Sequence, residues 1–185
     1  SSELIGINPK HYYGYLRKAI SYHRLKQEEK SEQSFKEAIK KAKSHALRYL
    51  SYRDRSKLEV TQYLEKKEHP HLVIQQALDA LVKLNYVNDQ RFALEWGRYK
   101  INKQKLGKSR LYIELLNKGI DKEILESALA TLYEDNPEAE LATECARKKM
   151  NSLKGVEEEK KKRRLIQYLK RRGFSADIIY QSLKT

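Results

Sequence analysis

An internal repeat is the feature that most restricts what this chain can fold into. Leu64, Leu115 and Leu169 coincide at offsets of 51 and 54 residues, and both offsets carry over without a gap. Phe92 and Trp96 are four residues apart, a spacing that places both on one face of a helix, and they are expected to face a core. The offsets also bring three apolar segments into register: residues 73–78, 124–129 and 178–183. Each repeat is too small to bury its apolar face alone. The pattern therefore predicts a stacked array, in which each repeat unit supports its neighbour.

The residue composition assigns these units to helices. The 185 residues include only seven Gly and three Pro, which is too few for the turns of a β-sandwich of this length. Leu, Lys, Glu, Ala, Gln and Arg dominate instead, and all of them favour helix. We therefore predict an all-α fold, an elongated tandem array of three-helix repeats. The predicted boundaries are an N-terminal helical leader at residues 1–41 and three repeats at residues 42–86, 87–136 and 137–185.

Capping motifs mark the starts of several helices. Ser56-Lys57-Leu58-Glu59 fits a capping box, in which the serine hydroxyl and the glutamate carboxylate each accept a hydrogen bond from the other residue's main-chain N–H. This motif predicts a helix that begins near Lys57. A helix of residues 34–51 should precede it. In the second repeat, Ser109 is expected to cap the corresponding helix.

Glycines at equivalent positions mark two helix ends. Gly119 and Gly173 follow the middle helices of the second and third repeats. A glycine just past a helix end commonly adopts positive φ, where a side chain would be strained. The first repeat departs from this pattern, because Glu68 stands where the others have glycine.

Basic residues outnumber acidic residues by a wide margin. The chain has 39 Lys plus Arg against 25 Asp plus Glu, a formal charge of +14 and a sequence pI near 9.7, which indicates an anionic partner such as a phosphate backbone. Basic clusters fall at equivalent positions of the repeats, so stacking by a common operation would align them as one stripe suited to a long polyanion or filament. The candidate partner- or DNA-binding residues are Arg48, Arg53, Arg55, Lys57, Lys103, Lys105, Lys108, Arg110, Lys160, Lys161, Lys162, Arg163, Arg164, Lys170, Arg171 and Arg172.

Other interpretations of the basic clusters stay open. The arginines around Arg53 could instead be structural and pair with carboxylates of the next helix. Residues 157–164 place Glu before Lys or Arg at i,i+4 three times, which is typical of a solvated helix that stabilises itself. Gly107-Lys108-Ser109 resembles the end of a phosphate-binding loop, but Asn102 stands where that motif needs glycine, and a helix precedes it instead of a strand.

The sequence offers no pattern for catalysis or metal binding. His69 and His71 have no second pair of ligands nearby, so no metal or other cofactor is predicted. No carboxylate is paired with His, Ser or Cys in a catalytic pattern, so an enzyme is not predicted. Cys145 lies on an apolar stripe and allows no intramolecular disulfide; with no signal segment or membrane-length apolar run, we expect a cytoplasmic protein. The chain opens on Ser1 instead of Met, which indicates an engineered start or a piece of a longer protein.

Two segments resemble a known family. The stretch from Ala46 to Glu59 (ALRYLSYRDRSKLE) and the stretch from Tyr86 to Ala93 (YVNDQRFA), with the glycine stops that follow, are similar to the bacterial RecX family. The resemblance covers about residues 42–185. Members of that family are built of tandem three-helix repeats that resemble one another, and they bind in the helical groove of the RecA filament on DNA. They usually inhibit strand exchange, ATP hydrolysis and coprotease activity.

The resemblance implies a regulator of the RecA recombinase. Some members carry extra sequence before the first repeat, so residues 1–41 are expected to be part of a truncated extension. The expected partners are the RecA filament and single- or double-stranded DNA, contacted by a monomer through its basic edge. The alternative from another class is an autonomous helical-repeat nucleic-acid-binding protein, for which the repeats and the charge would suffice.

Overall fold

Helices make up the regular structure of this chain. The computed structural model describes residues 9–183, with side chains from residue 17 onward. That part of the chain contains α-helices and no strand, so the predicted all-α class is confirmed. The helices are α1 (Pro9–Leu50), α2 (Lys57–Lys66), α3 (His71–Lys83), α4 (Asp89–Gln104), α5 (Lys108–Asn117), α6 (Lys122–Glu134), α7 (Glu138–Asn151), α8 (Glu158–Arg172) and α9 (Ala176–Ser182).

The predicted helix of residues 34–51 is the last part of a much longer one. α1 has 42 residues and includes residues 9–41 of the predicted leader, whose first eight residues lie outside the described part of the chain. Proline is compatible with the first turn of a helix, and an internal glycine costs only about 1 kcal/mol, so neither Pro9 nor Gly14 ends it. The side chains of residues 17–34 are exposed, and full burial is reached only at Ala42 and Ala46.

Three helices form each unit of the array. The first unit consists of α1, α2 and α3, the second of α4, α5 and α6, and the third of α7, α8 and α9. In each unit the first helix packs against the third, and the middle helix closes the unit. Leu64, Leu115 and Leu169 lie on the three middle helices and are fully buried. The repeat in the sequence therefore corresponds to a shared core position, and the predicted tandem array is confirmed.

Two separate clusters of buried apolar side chains stabilise the array. One lies in the first unit and includes Val60, Leu64 and Leu78. The other runs through both the second and third units, from Phe92 to Ile179. The second and third units therefore share one apolar core. The first unit has its own core, and polar and aromatic contacts join it to the second.

The capping box predicted at Ser56 is present and opens α2. The Glu59 N–H donates to Ser56 Oγ at 3.2 Å, and the Ser56 N–H donates to the Glu59 carboxylate at 3.3 Å. We expect Ser56→Ala to lower the free energy of unfolding by about 1 kcal/mol, because the cap is lost. Urea denaturation measures this change, with Ser34→Ala on the exposed part of α1 as the control. An unchanged urea midpoint for Ser56→Ala would contradict the role of the cap.

The prediction that Ser109 caps α5 is wrong. α5 begins two residues earlier than a Ser109 cap predicts, at Lys108, and Gly107 precedes it. The Gly107 N–H donates to the main-chain carbonyl of Arg172 at 2.8 Å, and a Cβ at Gly107 would lie 2.6 Å from the main chain of Gly173. A contact between units therefore determines where this helix begins.

Positive φ ends the middle helices at equivalent positions. Gly119 has a φ of 73° and Gly173 a φ of 90°, as predicted. Glu68 of the first unit has a φ of 60°, although a side chain is strained in left-handed backbone. The backbone turn therefore belongs to the repeat, and the first unit adopts it without glycine.

We expect Glu68→Gly to stabilise the protein. Removing the Cβ relieves about 1 kcal/mol of strain, and the greater freedom of glycine in the unfolded chain offsets part of that gain. Glu65→Gly, within α2, should have the opposite effect, since an interior glycine costs about 1 kcal/mol of helix propensity. Thermal melts compare the two variants. A lower melting temperature for both would contradict strain at Glu68.

Candidate functional site

The units meet at corresponding places at both junctions. The start of each middle helix packs against the positive-φ turn that ends the next middle helix. A Cβ at Gly119 would lie 2.8 Å from Leu58 Cβ, and a Cβ at Gly173 would lie 2.4 Å from the Arg110 main-chain nitrogen. Each junction therefore leaves a cleft between the start of one middle helix and the end of the next.

A capping hydrogen bond also joins successive units at both junctions. The Lys57 N–H donates to Asp89 at 2.7 Å, and the Lys108 N–H donates to Glu138 at 2.7 Å. Asp89 and Glu138 are the first residues of α4 and α7, so the next unit caps the middle helix of the one before it. Burial raises the pKa of Asp89, and the hydrogen bond from Lys57 opposes that shift. The main-chain N–H groups of Lys57 and Lys108, two of the predicted binding residues, thus have a structural role, while their side chains are exposed.

The first cleft lies between the first and second units. Glu59 lines it and accepts hydrogen bonds from Arg53 at 3.2 Å and Lys118 at 2.8 Å. Burial favours a higher pKa for Glu59, but these hydrogen bonds and positive charges lower it below its ordinary value. The ion pairs therefore contribute stability above the unfolded-state pKa of this carboxyl, and the contribution is lost as the pH falls through the lower folded-state pKa. The lining residues are Tyr49, Leu58, Glu59, Gln62, Tyr63, Lys66, Asn117 and Lys118.

The second cleft lies between the second and third units and has a volume of about 740 Å³. It brings Arg110, at the start of α5, together with Lys170 and Arg171, at the end of α8. Glu114 is the one carboxylate among its lining residues and lies 3.5 Å from the Arg110 Nε. Lys170 and Arg171 are exposed, and neither forms an ion pair within residues 17–183. The lining residues are Gln104, Leu106, Ser109, Arg110, Ile113, Glu114, Lys170, Arg171, Arg172 and Gly173.

An aromatic groove of about 410 Å³ surrounds Trp96, and we call it the Trp96 groove. Its lining residues are Arg53, Asp54, Phe92, Glu95, Trp96 and Tyr99. Phe92 is buried as predicted, but Trp96 is only partly buried, and three cations contact its ring, one from α4 itself and two from outside it. The distances to the ring centre are 5.5 Å for Arg53 Cζ, 4.9 Å for Lys100 Nζ and 5.2 Å for Lys118 Nζ. Helical spacing places Lys100 one turn from Trp96, but it gives no signal for Arg53 or Lys118.

Arg55 and Lys105, two further predicted cations, also have contacts that stabilise the fold. Arg55 Cζ lies 4.3 Å from the centre of the Tyr49 ring. Lys105 Nζ lies 3.1 Å from a carboxylate oxygen of Glu144, so this side chain joins the end of α4 to α7. Cys145 is buried as expected, with its Sγ 3.8 Å from the Lys105 carbonyl oxygen.

The cluster at Lys160–Arg164 does not line the second cleft. It occupies the first turns of α8, about 13 Å along the helix from Lys170–Arg172. Lys160 pairs with Glu157 at 3.0 Å, and Lys161 pairs with Glu158, as expected for a helix that stabilises itself. The remaining predicted residues have exposed side chains: Arg48, Lys103, Lys162, Arg163 and Arg164.

The geometry defines a tandem helical-repeat protein with a cationic cleft at one junction between units. Three family models match it in order: the first three-helix domain of RecX at residues 42–81, the second at residues 88–129 and the third at residues 137–183. The chain belongs to the RecX family.

Known proteins of similar sequence and fold agree with that assignment. The regulatory protein RecX of Bacillus pumilus is 37% identical over 150 residues, which is 81% of this chain and 57% of that protein. The corresponding protein of Bacillus cytotoxicus is 33% identical over 145 residues, 78% of this chain and 53% of that protein. The chain thus spans about half the length of the curated relatives it matches.

Solved structures show the same architecture. The crystal structure of RecX from Lactobacillus salivarius superposes with a TM-score of 0.71 at 31% identity, covering 80% of this chain and 96% of that one. A second RecX crystal structure has a TM-score of 0.74 at 24% identity and covers 82% of this chain and 74% of that one, which supports the fold alone. Across residues 9–183, none of the helices is long and apolar enough to cross a membrane.

Proposed function

We propose that this protein binds the RecA recombinase filament on DNA and inhibits its strand exchange, ATP hydrolysis and coprotease activity. Membership of the RecX family supports a regulatory role, since the relatives named above are regulatory proteins. The observation that carries the proposed site is the meeting of Arg110, Lys170 and Arg171 in one cleft. The proposed action is non-catalytic, requires no cofactor and takes place in the cytoplasm, with the protein acting as a monomer.

The electrostatics of the second cleft suit a polyanionic filament. Cations on both walls of a concave surface add their fields and attract negative charge over a distance of several ångströms. Lys170 and Arg171 have no carboxylate partner among the described residues, so a phosphate would not have to compete for them. The elongated array could lie along a filament groove while this cleft faces DNA or an acidic part of the recombinase.

Inhibition of recombinase ATP hydrolysis on single-stranded DNA tests this function. The cleft variant replaces Arg110, Lys170 and Arg171 by Gln. We expect it to need about tenfold more protein for half-inhibition, because tenfold corresponds to about 1.4 kcal/mol and each exposed charge contributes up to about 1 kcal/mol. Lys105 is left unchanged because its pairing with Glu144 supports the fold.

A matched control removes the same number of charges from the other end of α8. The distal variant replaces Lys162, Arg163 and Arg164 by Gln, all of them exposed. It should inhibit ATP hydrolysis as well as the parent protein does. Circular dichroism melts check that both variants are folded. Equal inhibition by the parent and the cleft variant at low and high salt would contradict a role of this cleft in filament binding.

Autonomous nucleic-acid binding is the second candidate function. The exposed Tyr99 ring in the Trp96 groove favours it, since exposed aromatic rings beside cations are typical of proteins that bind unpaired bases. The two functions differ in their preferred partner. A filament regulator binds recombinase-coated DNA more tightly than bare DNA, whereas an autonomous binder does not.

A further inference from the structure

We infer that the second cleft and the Trp96 groove together bind single-stranded nucleic acid, with phosphates in the cleft and a base stacked on Tyr99. This inference deepens the proposed function and rests on it in one respect, namely that the second cleft faces the partner. It specifies that the cleft contacts nucleic acid and not an acidic protein surface. It also limits the site to the second cleft and the Trp96 groove instead of a stripe along the whole array.

A comparison of the two clefts shows that junction packing does not require the cations. The repeat offsets make Arg110 equivalent to Glu59 and Arg171 equivalent to Asn117. Both junctions have a capping hydrogen bond between units, yet the first cleft contains a carboxylate where the second contains a guanidinium group. Lys170 likewise has an uncharged equivalent, a leucine. Four cations and one carboxylate line the second cleft, whereas two cations and one carboxylate line the first.

The Trp96 groove suits a base better than a phosphate. Asp54 and Glu95 line it and pair with Arg91 at 2.6 Å and Arg98 at 3.0 Å, so these two arginines are already occupied and are not available to a phosphate. Three cations already cover the Trp96 ring. Tyr99 is 53% exposed, and its ring centre lies 6.1 Å from that of Trp96. Tyr99 is therefore the accessible stacking surface of this groove.

One face of α4 connects the groove to the cleft. Trp96, Lys100 and Gln104 follow at i, i+4 and i+8, so they lie in one row, about 12 Å from end to end. Lys100 Nζ lies 2.8 Å from Glu114, which lines the second cleft with Gln104. A strand whose phosphates lie in the cleft can reach Tyr99 within a few nucleotides. The bases of a duplex are stacked inside it, so only an unpaired base can stack on this ring.

Fluorescence anisotropy of a labelled oligothymidylate, titrated with the full chain over a range of salt concentrations, tests this inference without recombinase. The cleft variant should bind at least about tenfold more weakly, and its slope of log affinity against log salt should fall by about 2, since each phosphate contact on a single strand contributes about 0.7. The distal variant should bind within about twofold of the parent, because its charges lie about 9–13 Å along α8 from Lys170 and Arg171, and the Debye length at 0.1 M salt is about 10 Å.

Substitution of Tyr99 tests the stacking step separately. Tyr99→Leu should weaken oligothymidylate binding by about fivefold or more without changing the salt slope, because base stacking on an aromatic ring is lost. Tyr99→Phe should retain the parent affinity. A duplex of the same length should bind more weakly than the single strand and should not respond to Tyr99→Leu.

Several results would overturn the inference. These are an absence of oligothymidylate binding by the parent, an equal loss of affinity in the cleft and distal variants, and equal affinities for Tyr99→Leu and Tyr99→Phe. The first would leave filament regulation through protein contacts intact. If the cleft variant loses oligothymidylate binding but inhibits recombinase ATP hydrolysis normally, the nucleic-acid site is supported and the proposed role of the cleft in inhibition is contradicted.

Discussion

Gly173→Ala should lower the free energy of unfolding by about 3 kcal/mol. A side chain in left-handed backbone costs about 1–2 kcal/mol, and φ at Gly173 is 90°. The added Cβ would also lie 2.4 Å from the main-chain nitrogen of Arg110. Main chain cannot rotate away as a flexible side chain can, so the junction between the second and third units must open, and we attribute the rest of the loss to that shift.

Gly155→Ala is the matched control for this prediction. Gly155 has a φ of 82°, but a Cβ there would meet no atom within 4 Å. Gly155→Ala should therefore lower the free energy of unfolding only by the cost of a side chain in left-handed backbone, about 1–2 kcal/mol. Urea denaturation of both variants separates backbone strain from the junction contact. Equal losses would show that the junction tolerates a side chain at Gly173.

Leu115→Ala should cost about 3–4 kcal/mol, the usual range for emptying a fully buried leucine site. Leu115 belongs to the core that the second and third units share, so the loss should lower the stability of both. Leu64→Ala empties the equivalent site of the first unit, whose core is separate. Its effect should be greatest in α1, α2 and α3.

Native-state hydrogen exchange of the two variants measures where stability is lost. Leu116→Ala serves as the control because this neighbouring side chain is 51% exposed, so it should change little. Faster exchange limited to the second unit in Leu115→Ala would contradict a shared core. Uniformly faster exchange throughout the chain in Leu64→Ala would contradict separate cores.

The repeat and its helices could be predicted because they depend on local spacing. Leu64, Leu115 and Leu169 reveal their equivalence by offset alone, and the Ser56 capping box is complete within four residues. The start of α5 could not be predicted in the same way, because the close approach of Gly173 to the residue before that helix decides it. That contact joins two units and leaves no local pattern in the sequence.

The candidate binding site was harder to predict than the fold for a related reason. Offsets show which residues are equivalent, but they do not show which residues meet. Arg110 meets Lys170 and Arg171 at the end of α8, although the aligned cluster in the sequence is Lys160–Arg164 at the other end of that helix. The spacing of Trp96 on its helix predicts a core position. It gives no sign of Arg53 and Lys118, which come from other parts of the chain and contact the ring.

The exposed part of α1 extends beyond the core of the first unit as a rigid arm. Residues 17–34 extend about 27 Å along the helix axis before the helix becomes fully buried at Ala42 and Ala46. A continuous helix is stiff, so a load applied across its axis at the far end acts as a torque on the first unit. Because that unit has its own core, the torque acts on the ion pairs and ring contacts at the first junction. Pulling on this arm would thus turn the first unit against the other two and leave their shared core intact.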